Sequence, residues 1–376
     1  MKKALEGVKI LDFSRVLAGP YCTMLLADMG AEVIKVERPG SGDDSRHFGP
    51  YQKGESAYYS LLNRGKKSIE INLKDEQDLE IIRNLIREVD IVVENYRPGI
   101  MEKFGLDYDS VKALNPNIIY TSISGFGQNG PYKERPAYDL VAQAMGGMMS
   151  ITGYEHTPPT RTGSSLGDMS AALFATYGTL VALFHKERTG EGQFVDVAMM
   201  DSIVAMLETN VLQNTVAGIN PGRVGSRHPL STPFDAYRVK DGYIVIAIAN
   251  NPLFEKLCHI MEQPELIEDE RFTTDELRTS HEQELKVIIE NFLSSYTVEE
   301  AESMLLDAGL PASRIQSIEE VVQDEQMKVR EMLVDIEHPI AGKMTLVGNP
   351  AKLSATPADP SNAPPMLGEH NTVFKK

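Results

Sequence analysis

Asp168 stands between a glycine-rich loop and a long apolar stretch, in GSSLGDMSAALFATYGTLVALF (Gly163 to Phe184). Two chemistries fit that position. A short acidic side chain before an apolar run is most often a helix N-cap. A carboxylate steadied by helix amides and shielded from water also stays ionised and serves as an attacking group. The residues alone leave both readings open.

Other candidate groups cluster near the ends of strand-like runs. Arg15, Arg38, Lys74, Arg97 and Lys103 all fall in or beside such loops. The chain carries a formal net charge of −17, so an anionic, phosphorylated ligand requires a local basic rim of this kind. The alternative is that each cation is simply solvated. Asn95-Tyr96-Arg97-Pro98-Gly99 offers an amide, a ring and a guanidinium, or is plain turn chemistry around Pro98-Gly99. The first loop, SRVLAGP (Ser14 to Pro20), has one glycine and no G-x-G-x-x-G. That disfavours a nicotinamide dinucleotide, although Glu37 ends the second strand as an acidic ribose ligand would. The eight histidines are scattered, with neither H-E-x-x-H nor C-x-x-C, so no metal site is predicted. No G-x-S-x-G elbow occurs. His228, in the loop SRHPLSTP, is the most suggestive histidine.

The elements that must position these groups alternate. VKILDF (Val8 to Phe13), AEVIKVE (Ala31 to Glu37), DIVVEN (Asp90 to Asn95) and NIIYTSISG (Asn117 to Gly125) read as strands separated by helical segments. This is the pattern of βαβ units and a parallel sheet, whose ligands sit at the carboxyl ends of the strands. Those ends carry Ser14, Arg15, Arg38, Asn95, Tyr96 and Gly125. A helix is predicted over 168–187, a strand over 194–199 and a helix over 201–215. Then comes a Gly/Pro/Arg-rich loop, followed by a strand, a Lys-Asp-Gly turn and a second strand over 236–250. The acidic helical region of 253–308 makes a second, smaller unit.

At 376 residues the chain is long for one core. We expect a Rossmann-like α/β large domain over 1–215, completed by 335–376, and a smaller α+β domain over 226–325. Linkers are predicted near 188–225 and 316–345. Apolar residues at 42% and charged residues at 24% fit a soluble globular chain. The acidity argues against nucleic acid. Two cysteines give no disulfide framework, so a reducing cytoplasm is the expected setting. MKKALEGVKILDF lacks the apolar core of a signal peptide. The apolar run 171–184 reads as a buried helix too short to span a bilayer, so no membrane partner is expected.

GVKILDFSRVLAGP, LADMGAEVIKVERPGSGDDSR, NRGKK, VVENYRPG, GFGQNGP, the Gly163–Asp168 loop, RTGEGQFVDVAMMDS and LGEHN occur in an order that resembles the class III CoA-transferases, nearly end to end. The resemblance implies that Asp168 attacks an acyl-CoA thioester. An aspartyl anhydride and then an aspartyl-CoA thioester would form before CoA passes to an acceptor carboxylic acid. It places Arg15, Val16 and Leu17 at the pantetheine end and Arg38 near the CoA phosphates. Ile71 to Lys74 and Asn95-Tyr96 would flank adenine and ribose, with Arg97 in the same turn and Lys103 on phosphate. Coenzyme A is then a substrate, and no permanently bound cofactor is implied. The family's first loop often carries Gln where this chain has Leu17. No glycine run lies between Gly218 and Asn250, which disfavours oxalate as acceptor. The family also holds α-methylacyl-CoA racemases, which place a His where this chain reads Tyr138. A phenol is a poor base at neutral pH, so transfer is preferred to racemisation. Arg223, Arg227 and His228 are candidates to pair with a second substrate carboxylate. The resemblance finally implies an interlocked homodimer, with the CoA site near the interface between chains.

Overall fold

The computed structural model describes residues 3–375. The chain separates into two compact units. The first comprises residues 1–149, 161–220 and 324–376, and the second residues 150–160 and 221–323.

The first unit is built on a six-stranded parallel sheet. Its strands are β1 (Lys9–Asp12), β2 (Glu32–Glu37), β3 (Lys67–Glu70), β4 (Ile91–Glu94), β5 (Ile119–Ser124) and β6 (Phe194–Ala198). In space they run 3-2-1-4-5-6, the doubly wound order in which the direction of growth reverses between β1 and β4. The strands are apolar on both faces because both are covered. Ile10, Val33, Ile91 and Ile119 pack on one side with α1 (Ala18–Asp28) and α5 (Leu166–Thr189). Leu11, Ile34, Val92 and Tyr120 pack on the other with α2 (Glu76–Ile86) and α3 (Tyr108–Leu114). The helices start where their caps dictate: Asp75 accepts from Gln77 and Asp78 N–H ahead of α2, and Asp107 from Asp109 and Ser110 N–H ahead of α3.

Two further helices of this unit, α4 (Asp139–Met145) and α6 (Met199–Ala205), pack against α5. The helix predicted over 201–215 is two, because the chain turns at Met206 and Leu207 before a second helix at Glu208–Thr215. The carboxyl-terminal LGEHN is structural. Gly368 N–H donates to Ser68 Oγ at 3.0 Å and His370 N–H to Ser68 O at 2.9 Å, sealing the edge strand β3.

α5 runs 24 residues and begins two residues before Asp168. It is long and apolar enough to cross a bilayer, contrary to the shorter run expected. One face is made of small residues (Gly167, Ala171, Ala172, Ala175) that let it lie close to the sheet and α1. The other face exposes Leu173, Tyr177, Val181 and Phe184, so the helix is half-buried where the sequence suggested full burial.

The second unit pairs β7 (Phe234–Arg238) with β8 (Tyr243–Ala247) as an antiparallel hairpin, with β9 (Ala312–Arg314) added beside β8. α7 (Asn251–Ile260), α8 (Glu282–Leu293) and α9 (Val298–Asp307) contribute Leu257, Ile289 and Leu305 to its core. A capping box between Thr297 and Glu300 starts α9.

Candidate active site

The exits of β1 and β4, at the sheet's switch point, open into a cavity of about 430 Å³. Arg15, Val16, Leu17, Asn95, Tyr96, Arg97, Tyr138 and Asp168 all line it. The sequence reading placed these residues at a site, and one wall brings them together.

Buried charge holds the first loop. Asp12 accepts from the Ser14 N–H at 2.9 Å and from the Ser14 hydroxyl. Lys35 Nζ donates to Ser14 O at 2.9 Å and pairs with Asp43 at 2.7 Å, with both side chains almost fully buried. Val16 sits at φ +68°, a left-handed conformation that is strained for a β-branched residue. Its N–H donates to the two Asp43 oxygens at 3.1 and 3.3 Å. Burial opposes the Asp43 anion, but Lys35 and the Ser45 N–H and hydroxyl hold its carboxyl well below the usual range.

The turn after β4 locks onto this loop. Asn95 accepts the Arg15 N–H and donates to Arg15 O, both at 2.8 Å. The Arg15 guanidinium lies 5.3 Å from the Tyr96 ring centroid. Arg15 pairs with Asp44 at 3.1 Å, and Arg38 closes on the other Asp44 oxygen.

Asp168 is the third residue of α5, so it is not the N-cap. That place belongs to Ser165, which makes no side-chain cap bond. Gly167 N–H donates instead to Asp139 Oδ1 at 2.8 Å, and Asp139 Oδ2 accepts from Gln143 at 2.8 Å. A side chain at Gly167 would bring its Cβ within 3.2 Å of that Asp139 oxygen. The Asp168 carboxyl accepts no hydrogen bond from the described residues. Burial, then the charge of Asp139, push it up to about 7. The helix amides therefore do not keep it fully ionised, as the sequence had suggested. Tyr58 is close enough to register this group: burial first, and then the Asp168 charge, raise its phenol to about 12.

Four predicted contacts lie off the cavity wall. Arg38 reaches it only through Asp44. Ile71 is packed in the sheet's core. Lys74 and Lys103 are exposed, the latter on the 3₁₀ turn Glu102–Phe104. Lys133 and Arg135 do line the cavity and were missed, although they stand just before Tyr138 in YKERPAY. Asp139 was also missed, because its link to Gly167 spans 28 residues.

Glu37 is no ribose ligand. It takes two bonds from Arg46 at 2.7 Å and one from Ser68 at 2.6 Å. In the second unit, Arg223 donates to the carbonyls of Tyr154, Glu155 and Thr157. Arg227 pairs with Glu282 at 3.5 Å, and His228 Nδ1 accepts from Leu230 N–H at 3.2 Å. All three make these bonds within their own unit.

The chain is 41% identical over 377 residues to the succinyl-CoA:glutarate CoA-transferase of Homo sapiens, covering 100% of this chain and 86% of the relative. It is 39% identical over 378 residues to the acetyl-CoA:oxalate CoA-transferase of Acetobacter aceti, covering 100% and 96%. The crystal structure of a CaiB/BaiF family protein from Brucella suis superposes with a TM-score of 0.88 at 36% identity, covering 100% and 99% of the two chains. Residues 5–371 match CoA-transferase family III, and the chain belongs to that family as a CoA-transferase.

Proposed function

We propose that this CoA-transferase moves CoA between carboxylic acids through covalent attachment to Asp168. The observation that carries the proposal is the presence of Asp168, the first loop and the Asn95–Arg97 turn on one cavity wall. In the first step an Asp168 oxygen attacks the thioester carbonyl. The C–S bond breaks, leaving a mixed anhydride and CoA thiolate. The thiolate attacks the Asp168 carbonyl carbon, forming an aspartyl-CoA thioester and releasing the donor acid. The acceptor carboxylate then attacks the aspartyl-CoA carbonyl and expels the thiolate, forming a second mixed anhydride; the thiolate attacks the acceptor's carbonyl carbon, the bond from that carbon to the Asp168 oxygen breaks, and the new acyl-CoA leaves with Asp168 restored. No water is consumed, so acyl energy is retained. An anion without hydrogen bonds has little solvation to lose on attack, which favours carboxylate as nucleophile.

In this reading Arg15, Arg97, Lys133 and Arg135 supply the positive field for CoA phosphates in an acidic chain. Val16 and Leu17 line the pantetheine end and Asn95-Tyr96 the nucleotide end. Tyr138, which is 78% exposed, closes over the ligand. Arg38, Lys74 and Lys103 extend the basic rim outward, and Ile71 contributes backbone only. The names of the two relatives pair acyl-CoA donors with dicarboxylic acceptors, which supports a dicarboxylic acid here. The exposed apolar face of α5 supports a homodimer, interlocked as the family resemblance implies. Cys22 and Cys258, both free and buried, support a cytoplasmic setting.

The test is rapid quenching of the enzyme with acyl-CoA, followed by peptide mass spectrometry. An adduct of CoA on the peptide bearing Asp168, absent in Asp168→Asn, is the expected result. Full transferase activity in Asp168→Asn would sink the mechanism.

A further inference from the structure

Glu94 and Gln128, two polar side chains with no role in the chemistry above, are joined by a chain of hydrogen bonds next to the site. Glu94, the last residue of β4 in VVENYRPG, is 4% exposed. Its Oε2 accepts the Tyr96 N–H at 2.7 Å, and its Oε1 accepts the Ser122 hydroxyl from β5. The Ser122 oxygen accepts in turn from Gln128 Nε2 at 2.8 Å. Gln128, from GFGQNGP, anchors its own N–H on Asp196 of β6 at 3.0 Å. The chain of bonds thus runs across three neighbouring strands and ends on the backbone of the turn that carries Asn95 and Tyr96.

We infer that Glu94 is a positioning residue for the acyl-CoA site, its carboxylate acting as the clamp that sets the Asn95–Tyr96 turn against the first loop. The inference rests on reading the 430 Å³ cavity as the acyl-CoA site. Both Glu94 oxygens accept in this geometry, and only the anion does so with no proton of its own to place. Taking up a proton turns one oxygen into a donor. A proton on Oε1 displaces the hydrogen that Ser122 donates there, and a proton on Oε2 opposes the Tyr96 N–H, so one of the two bonds is lost in its present form. Loss of the Tyr96 bond frees the turn that carries Asn95, and with it the paired bonds to the Arg15 backbone.

Glu94 also borders a separate cavity of about 290 Å³. The charged and titratable groups facing that cavity with it are Arg97 and Glu102 beyond β4, Asp107, Tyr108 and Asp109 at the start of α3, and Tyr120 of β5. Asp196 acts on it from β6. Burial, opposed by the Ser122 and Tyr96 bonds and reinforced by Asp196, brings the Glu94 carboxyl to about 7. The clamp therefore tightens as pH rises through neutrality.

The experiment is calorimetric titration of the full chain with CoA itself between pH 6 and 8.5, for wild type, Glu94→Gln and Ser122→Ala. CoA phosphate and Asp168 titrate in all three and cancel in the ratios. Glu94→Gln is expected to weaken binding roughly 10- to 100-fold at pH 8.5, the loss of one bond to a charged acceptor. The ratio should approach one at pH 6, where wild type is itself protonated. Ser122→Ala removes a bond that favours the anion, so its tight-binding window should move to higher pH. A ratio for Glu94→Gln that is the same at every pH overturns the inference. Should Glu94→Gln fail to fold by circular dichroism, an unshifted window in Ser122→Ala overturns it instead. A wild-type chain that binds no CoA at any pH overturns the reading of the cavity, a result distinct from either.

Discussion

Replacing Asp168 by Asn should make the protein more stable, and increasingly so as pH rises. The Asp168 carboxyl is pushed from 3.8 to about 7 in the folded chain, by burial first and by Asp139 second. Its folded value lies above its unfolded value, so the stability present below pH 4 is lost as pH climbs toward 7. Each unit corresponds to about 1.36 kcal/mol, so the full cost is about 4 kcal/mol above pH 7 and about 2 kcal/mol at pH 5.5. Asn cannot ionise, and any pH-independent cost of its amide cancels between two pH values. The stability advantage of Asp168→Asn should therefore widen by about 2 kcal/mol from pH 5.5 to 8.5. For a chain of 376 residues that is about 2–3 °C in melting temperature. The acid point is kept above the isoelectric point near 5.0 to avoid precipitation. Glu94 titrates in the same range in both proteins and drops out of the difference. Thermal melts of the two proteins, without ligand, at both pH values give the answer. An advantage that is constant with pH, or that shrinks toward pH 8.5, refutes the claim that Asp168 is held in an environment hostile to its charge.

Under the proposed mechanism the attacking form is the Asp168 anion, so kcat/KM for acyl-CoA should fall about tenfold per pH unit below about 7. A rate flat from pH 5.5 to 8 counts against Asp168 as nucleophile. Lys35→Met should cost about 3–5 kcal/mol in urea unfolding, because it leaves Asp43 buried without its partner. A loss under about 1 kcal/mol would mean the pair is not what holds the first loop. Gly192→Ala should lose about 1–3 kcal/mol or more, since its Cβ would fall 2.1 Å from Ile118 O and 2.4 Å from Asn117 O, which are backbone atoms. Normal yield and melting temperature for that variant would contradict the close approach in RTGEGQ.

Much of the architecture is local information. Short runs such as KILD and IVVE are apolar at every position that both sheet faces need, so they announce buried parallel strands. Asp75 and Asp107 announce helix starts. Arg15, Asn95 and Tyr96 are legible because βα loops at strand exits gather at one end of a parallel sheet, whereas Val16, Leu17 and the role of Asp168 follow from the family resemblance. Extent and partnership were less legible. The apolar run of α5 reads as shorter than the helix because Thr176, Tyr177 and Thr179 interrupt it, yet at helical spacing Thr179 turns inward to the Thr121 hydroxyl at 2.7 Å. Its outer apolar face looks the same in sequence as a core face.

The amino-acid order by itself determines the strand and helix pattern, the acidic balance with its few cations at strand exits, and the motif series that marks the family. Only the tertiary structure decided what state those groups are in. It made Asp168 an unsupported third helical residue and not a cap, turned Glu37, Arg223 and Arg227 into internal partners, and put Asp139, Glu94 and Lys35 under the site. The physical reason is that burial and charge pairing depend on neighbours from distant segments. A side chain's type fixes what it is able to donate or accept, whereas its surroundings fix whether water or another residue answers it.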